Sequence, residues 1–196
     1  MKKVLFIFSI CLIASVYTFA QSNHFGMYYS IAFPTGDVGE YISKPSFRGV
    51  YFDFHKTINE NVGIGLSTGW TVFYEEKAED TYTIENNSLT GKQYRYSNHV
   101  PILASGVYYM QPDQTINPFA KLGIGTIYTR RNTDMGQYTY ELEAWNFALA
   151  PEFGVQYSVG YESAVSLSLK YFAGFQAGNE LDASQSYFAI NFGFVY

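Results

Sequence analysis

VGIGLSTGWTVFYE, residues 62–75, carries the pattern that decides the fold. Its even positions are Val62, Ile64, Leu66, Thr68, Trp70, Val72 and Tyr74; its odd positions are Gly63, Gly65, Ser67, Gly69, Thr71, Phe73 and Glu75. Six of the seven even positions are apolar, against one of the odd. A β-strand sends successive side chains to opposite faces, so a period of two marks a strand with one apolar face and one small or polar face. A helix would scatter the same residues around its axis.

Outward from this stretch the alternation recurs. Phe25 to Phe33, Val50 to Phe54, Leu122 to Tyr128, Phe147 to Tyr157, Val165 to Phe175 and Phe188 to Tyr196 each carry apolar residues at every second position. The segment from about Tyr96 to Met110 has strand character without a clear phase. Eight strands are expected, forming an all-β, eight-stranded antiparallel up-and-down transmembrane β-barrel. The expected short connections are Ile58 to Asn61, Gln111 to Asn117 and Val159 to Ser163; the long ones are Pro34 to Ser46, Glu76 to Tyr94, Arg131 to Glu143 and Gln176 to Ser186. Short turns at one end and long loops at the other are the habit of membrane barrels, with the long loops extracellular and both termini periplasmic.

The N-terminus reads as a secretory leader. Lys2 and Lys3 precede an apolar run from Val4 to Val16, and Thr18-Phe19-Ala20 places small residues three and one before a cut ahead of Gln21. Residues 1–20 are therefore expected to be a signal peptide and 21–196 the barrel domain. The single cysteine, Cys11, lies in the leader, leaving the rest without disulfides or thiolate metal sites. Beyond the leader there are 10 basic and 17 acidic residues, a formal charge of −7, which argues against nucleic acid as a partner. The acids cluster at Asp37 to Glu40, Glu75 to Glu85, Asp134 to Glu143 and Glu180 to Asp182, all at the expected long-loop, outside face.

A soluble barrel of the lipocalin kind also alternates, with its apolar face inward. Here the second face is mostly Gly, Ala, Ser and Asn, which suit a crowded interior. The apolar face is nearly free of charge and rich in aromatics, as a lipid-facing band requires. Trp70, Tyr74, Tyr128 and Trp145 fall near the ends of strands that lead into the long loops, where interfacial aromatics belong.

Four stretches carry a family resemblance: Ile31 to Asp37 (IAFPTGD), Pro118 to Gly125 (PFAKLGIG), Ala150 to Tyr157 (APEFGVQY) and the terminal Phe194-Val195-Tyr196. On these the chain resembles the small outer-membrane β-barrel domain family of Gram-negative bacteria, the OmpA/OmpX/PorT-like barrels. The resemblance implies a fold rather than an activity. It also implies that the C-terminal aromatic is a recognition signal for the barrel-insertion machinery.

Chemistry is sparse. His24, His55 and His99 are the histidines. His24 is expected to be solvated and His55 to make an interior hydrogen bond. Ser97 and His99 share a strand face near the expected extracellular rim, with Glu75 and Glu76 on the neighbouring strand. A serine, a histidine base and an orienting carboxylate could form an acyl-hydrolase triad, but no oxyanion donor is identifiable. Gly63-Ile64-Gly65 and Gly123-Ile124-Gly125 lie within strands, with no helix or Lys-Ser/Thr pair after them, so they are not phosphate loops. No acidic spacing matches a calcium loop. No catalytic residue, cofactor or metal ligand is assigned.

The one interior pairing expected is structural. Glu152 and Lys170 both fall on the small-residue face of consecutive strands. Inward positions are even on both strands, so paired inward residues must have an even sum. A loop centred on Tyr161 makes every paired sum 322 and sets Glu152 opposite Lys170; centring on Gly160 makes them diagonal neighbours. The functional expectation is a non-enzymatic outer-membrane barrel with a structural or surface-binding role. A narrow passage for small or hydrophobic molecules and a lipid A-modifying acyl hydrolase or transferase are the alternatives. Expected partners are outer-membrane lipid and lipopolysaccharide, the insertion machinery and a surface ligand of unknown kind.

Overall fold

The period of two becomes a closed sheet. The computed structural model describes residues 23–84, 87–160, 163–175, 181 and 183–196; the expected leader lies outside them, as do Glu85, Tyr161, Glu180 and Asp182. The strands are β1 (Asn23–Thr35), β2 (Ser46–Asn59), β3 (Val62–Ile84), β4 (Asn87–Tyr109), β5 (Ile116–Met135), β6 (Tyr138–Ser158), β7 (Ala164–Phe175) and β8 (Ser186–Val195). Each pairs antiparallel with its sequence neighbour, and β1 closes on β8 from Gly26 opposite Val195 to Thr35 opposite Ser186. Closure removes the unpaired strand edges that an open sheet would present to lipid.

The two faces follow the sequence phases. Leu66, Phe153 and Phe194 point outward and are more than 60% exposed, as are none of the inward Phe73, Phe119, Phe172 and Tyr187, which are buried. Leaving one such outward side chain in water forgoes roughly 1.5–3 kcal/mol. A belt of them around the barrel is stable only in hydrocarbon. Among the described residues no helix is long and apolar enough to cross a membrane, so the strands are the crossing elements.

The stretch of unclear phase resolves within β4. Pro101, Leu103, Ser105, Val107 and Tyr109 point inward, while Ile102, Ala104, Gly106, Tyr108 and Met110 point outward. Leu103, Val107 and Tyr109 thus fill the interior here, while Ala104 and Gly106 face out between larger outward residues, which blurs the contrast between the two faces. Facing glycines make the room: a Cβ on Gly123 would lie 3.0 Å from Leu103 Cδ1, and one on Gly63 would lie 3.0 Å from Val107 Cγ1.

Two of the expected long loops are corrected. Glu76 to Tyr94 and Arg131 to Glu143 are largely strand. β3 and β4 stay paired up to Ile84 opposite Asn87, and β5 and β6 up to Met135 opposite Tyr138. Gly136, at φ +60°, opens the two-residue turn of the latter hairpin, a conformation that suits glycine. These extensions are rich in Thr and Tyr, good strand formers. They run past the apolar belt, so no apolar face marks them in the sequence. The first long connection contains a short helix, α1 (Gly36–Tyr41), which lies over this end of the barrel. Val38 on α1 and Ile42 just after it are fully buried against the interior aromatics.

Candidate functional site

Eight strands enclose a lumen about as wide as the side chains that line it, so whatever the barrel does inside is decided by those side chains. They form two tiers. The tier nearer the short turns is ionic. The register of β6 with β7 sets every pair to a sum of 322, which places Glu152 opposite Lys170, and Lys170 Nζ lies 3.2 Å from Glu152 Oε2. On its other side Glu152 stands opposite Lys121 of β5, whose Nζ is 3.1 Å from the same oxygen.

Lys121 also reaches across the lumen to an ion pair with Asp53 of β2. Asp53, Lys121, Glu152 and Lys170 therefore alternate in sign, sum to zero and are all buried. The spare capacity of the carboxylates is taken up by hydroxyls. Ser168 donates to Glu152 at 2.6 Å and Ser67 to Asp53 at 2.5 Å. Ser67 also lies 3.1 Å from Ser105, which is 2.9 Å from His55 Nε2. The Lys170 ammonium sits 4.0 Å from the centre of the Tyr51 ring. Lys170 Nζ meets Glu152 as an ion contact without hydrogen-bond alignment, so the tyrosine face carries part of its stabilisation.

Asp53 and Lys121 went unassigned in the sequence. The signal for both was parity: Asp53 shares its phase with Gly49 and Tyr51, and Lys121 with Gly123 and Gly125. Their partnership crosses the lumen and follows no strand register.

The second tier is aromatic. Tyr51, Phe172, Tyr187, Phe73 and His99 succeed one another with ring centres 4.5–5.6 Å apart. His99 is fully buried in this stack and does not lie at a rim. Its Nε2 is 2.9 Å from Ser97 Oγ and its Nδ1 is 3.1 Å from Thr129 Oγ1. The serine–histidine contact is thus present, but a hydroxyl stands where an orienting carboxylate would be needed. Glu75 accepts hydrogen bonds from Ser43 and pairs with Lys77 at 2.9 Å, and Glu76 pairs with Lys92 at 2.8 Å. Ser97 and His99 have no exposed surface through which an acyl chain could reach them. His55 is buried at the ionic tier, and His24 is half-buried beside Tyr109 near the short-turn end. Among the described residues no group of three or more His, Cys, Asp or Glu is placed to hold a metal ion.

A family model described as "Outer membrane protein beta-barrel domain" matches residues 6–195. Comparison with curated protein sequences gives no match. Among solved structures, Neisserial surface protein A is similar at 14% identity and a TM-score of 0.56, over 90% of this chain and 97% of that one. The outer membrane protein OprG from Pseudomonas aeruginosa is similar at 14% identity and a TM-score of 0.56, over 90% and 94%. The outer membrane protease OmpT from Escherichia coli is similar at 10% identity and a TM-score of 0.51, over 78% and 66%. At these identities the likeness is one of fold, and the fold carries a protease as well as other outer-membrane proteins.

Proposed function

Because this chain belongs to the outer membrane protein β-barrel domain family, we propose that it is a non-enzymatic, solute-tight barrel of the outer membrane whose role is exercised by its long hairpins. The observation that carries this reading is the filled lumen. Four paired charges cross it in one tier, five rings stack in the next, and Val38 and Ile42 close the end beneath α1. A solute would have to displace paired buried charges, each costly to strand in a narrow interior. Catalysis is disfavoured by the burial of Ser97 and His99 and by Thr129 in the orienting position.

The long hairpins are assigned to the cell exterior and both barrel termini to the periplasm, after cleavage of residues 1–20. Lipopolysaccharide would surround the belt, and the terminal Tyr196 would serve recognition by the insertion machinery. Pure protein in a planar bilayer should give no steady conductance; porin-sized steps would restore the narrow-passage reading. A cysteine at Gln137 should react with an impermeant thiol reagent on whole cells and one at Glu60 should not. The reverse pattern would invert the topology.

A further inference from the structure

Above the aromatic tier, between α1 and the inner faces of the extended hairpins, lies a cleft of about 240 Å³ that includes Tyr41, Tyr82, Tyr140, Thr133, Arg95 and Arg131 in its lining. Both arginines belong to the inward phase of their strands. Arg131 is 92% buried, yet among the described residues it makes one hydrogen bond, 3.2 Å to the neutral Gln185 amide oxygen, and its Nε–H is without a partner. Arg95 donates to Gln93 Oε1 at 2.6 Å and to the Tyr41 carbonyl at 2.8 Å, again neutral acceptors. Among the described residues neither guanidinium has a carboxylate within ion-pair distance. The nearby acids are turned to other donors: Asp37 to the Ser184 N–H at 2.6 Å, Asp134 to Thr139 at 2.8 Å and Glu75 to Ser43 and Lys77.

Both guanidiniums also lie against one ring, Arg131 at 4.7 Å and Arg95 at 5.0 Å from the centre of Tyr41. That ring is held in place, because its hydroxyl bonds Thr133 Oγ1 at 2.6 Å and donates to the Asn132 carbonyl at 3.0 Å. Two like charges gathered on one tyrosine repel, and burying one of them without a counter-charge is costly. An oxyanion between them would remove both costs, and the guanidinium fork suits it. The cleft is larger than a bare oxyanion needs. Tyr82 and Tyr140 bring aromatic rings to its lining, against which the C–H face of a sugar can lie.

We propose that this cleft binds a phosphate- or sulfate-bearing saccharide, with the anion between Arg95 and Arg131 and the sugar ring on Tyr82 and Tyr140. The proposal deepens the surface-binding reading and rests on it. The conductance measurement addresses the sealed lumen separately, so either can fail without the other.

The test uses the full barrel in phosphatidylcholine nanodiscs, with glucose 6-phosphate as probe and the Arg131 Nε–Hε resonance as reporter. Glucose 6-phosphate should bind saturably and shift that resonance, inorganic phosphate should bind more weakly, and glucose should not bind. Arg95→Gln and Arg131→Gln should each weaken binding by about tenfold or more. Arg131→Lys should weaken it too, because a lysine keeps the charge but loses the fork. Heat-modified gel mobility establishes that each variant is folded. Nanodiscs containing lipopolysaccharide distinguish the source of the sugar: competition with the probe assigns the site to a membrane glycolipid, and undiminished binding to a free glycan. Absence of saturable binding, or equal affinity in the folded arginine variants, would overturn the site. Inorganic phosphate binding as tightly as the sugar ester, or a diglutamate peptide binding more tightly, would overturn the saccharide assignment.

Discussion

The barrel buries cations in two places and treats them in opposite ways. In the ionic tier Lys121 and Lys170 share Glu152, and Lys121 adds Asp53, so every charge there is answered within the chain. In the cleft beneath the hairpins Arg131 is buried to nearly the same degree, and its described partners are a neutral amide and a tyrosine face. A buried charge with its counter-charge built in is a structural element, and altering it should change stability. A buried charge left without one is poised for something that arrives, and altering it should change binding.

The largest expected effect tests the first half of that contrast. Glu152 is the acid on which both lysines lean. Glu152→Gln should therefore destabilise by roughly 3–5 kcal/mol if the tier is dry, and by less if water enters. Lys170→Met should cost less than Glu152→Gln, because Glu152 would still hold Lys121, whereas Glu152→Gln takes from Lys170 the carboxylate it pairs with. The double variant should cost less than the two singles together. Urea unfolding in lipid vesicles measures all three. Strict additivity would mean that the two side chains do not interact, and the tier would lose its role as the interior brace.

Arg131→Met sharpens the comparison from the other side. It removes a buried cation without stranding an anion, while losing one hydrogen bond and a ring contact. The same unfolding measurement should move by less than about 1 kcal/mol, in either direction. A loss as large as that of Glu152→Gln would show that Arg131 braces the barrel, and the contrast between the two regions would collapse.

How much of this could be read from the chain depended on whether a period of two had an apolar face to show it. Where lipid meets the outer face, as from Val62 to Tyr74 or Phe188 to Phe194, alternation marks both strand and phase. On β4 the same rule lost its contrast, because Leu103 and Val107 turn inward over Gly123 and Gly63 while Ala104 and Gly106 face out. Past the belt both faces are polar, so residues 76–94 and 131–143 looked like loops although backbone pairing continues. The cleft is hidden for the same reason: in a segment with no apolar face, the inward phase of Arg131 leaves no mark in the sequence. In the ionic tier parity placed Glu152 and Lys170 on one face and narrowed their register to directly opposite or diagonal, and the pairing of β6 with β7 makes it directly opposite. Parity had no means of joining Lys121 to Asp53, since strands on opposite sides of a barrel share no ladder. The helix α1 was equally hidden, being six residues long and without a side-chain hydrogen bond at its N-cap.

The smallest effect is expected at the residue next to Arg131. Arg130 is on the same strand but points outward, half exposed, where it contacts Glu141 at 2.6 Å and Glu143 at 3.8 Å. Its charge is answered, as in the ionic tier, but in water, where attraction is screened and two long side chains lose freedom by pairing. Arg130→Gln should leave the unfolding midpoint unchanged at physiological salt, with any deficit emerging only at low ionic strength. The hydrogen bond from Arg130 holds the Glu141 carboxyl below its ordinary range. Stability from that pair is therefore present above the usual carboxylate pKa and is lost as pH falls through the lowered value, so the low-salt deficit should vanish in acid. Glucose 6-phosphate binding should be untouched, because Arg130 faces away from the cleft. Two adjacent arginines on opposite faces of one strand would then separate cleanly, one silent in both measurements and the other silent only in stability. Loss of probe binding in Arg130→Gln would mean that the probe is held by the exposed outward arginine, not by the cleft.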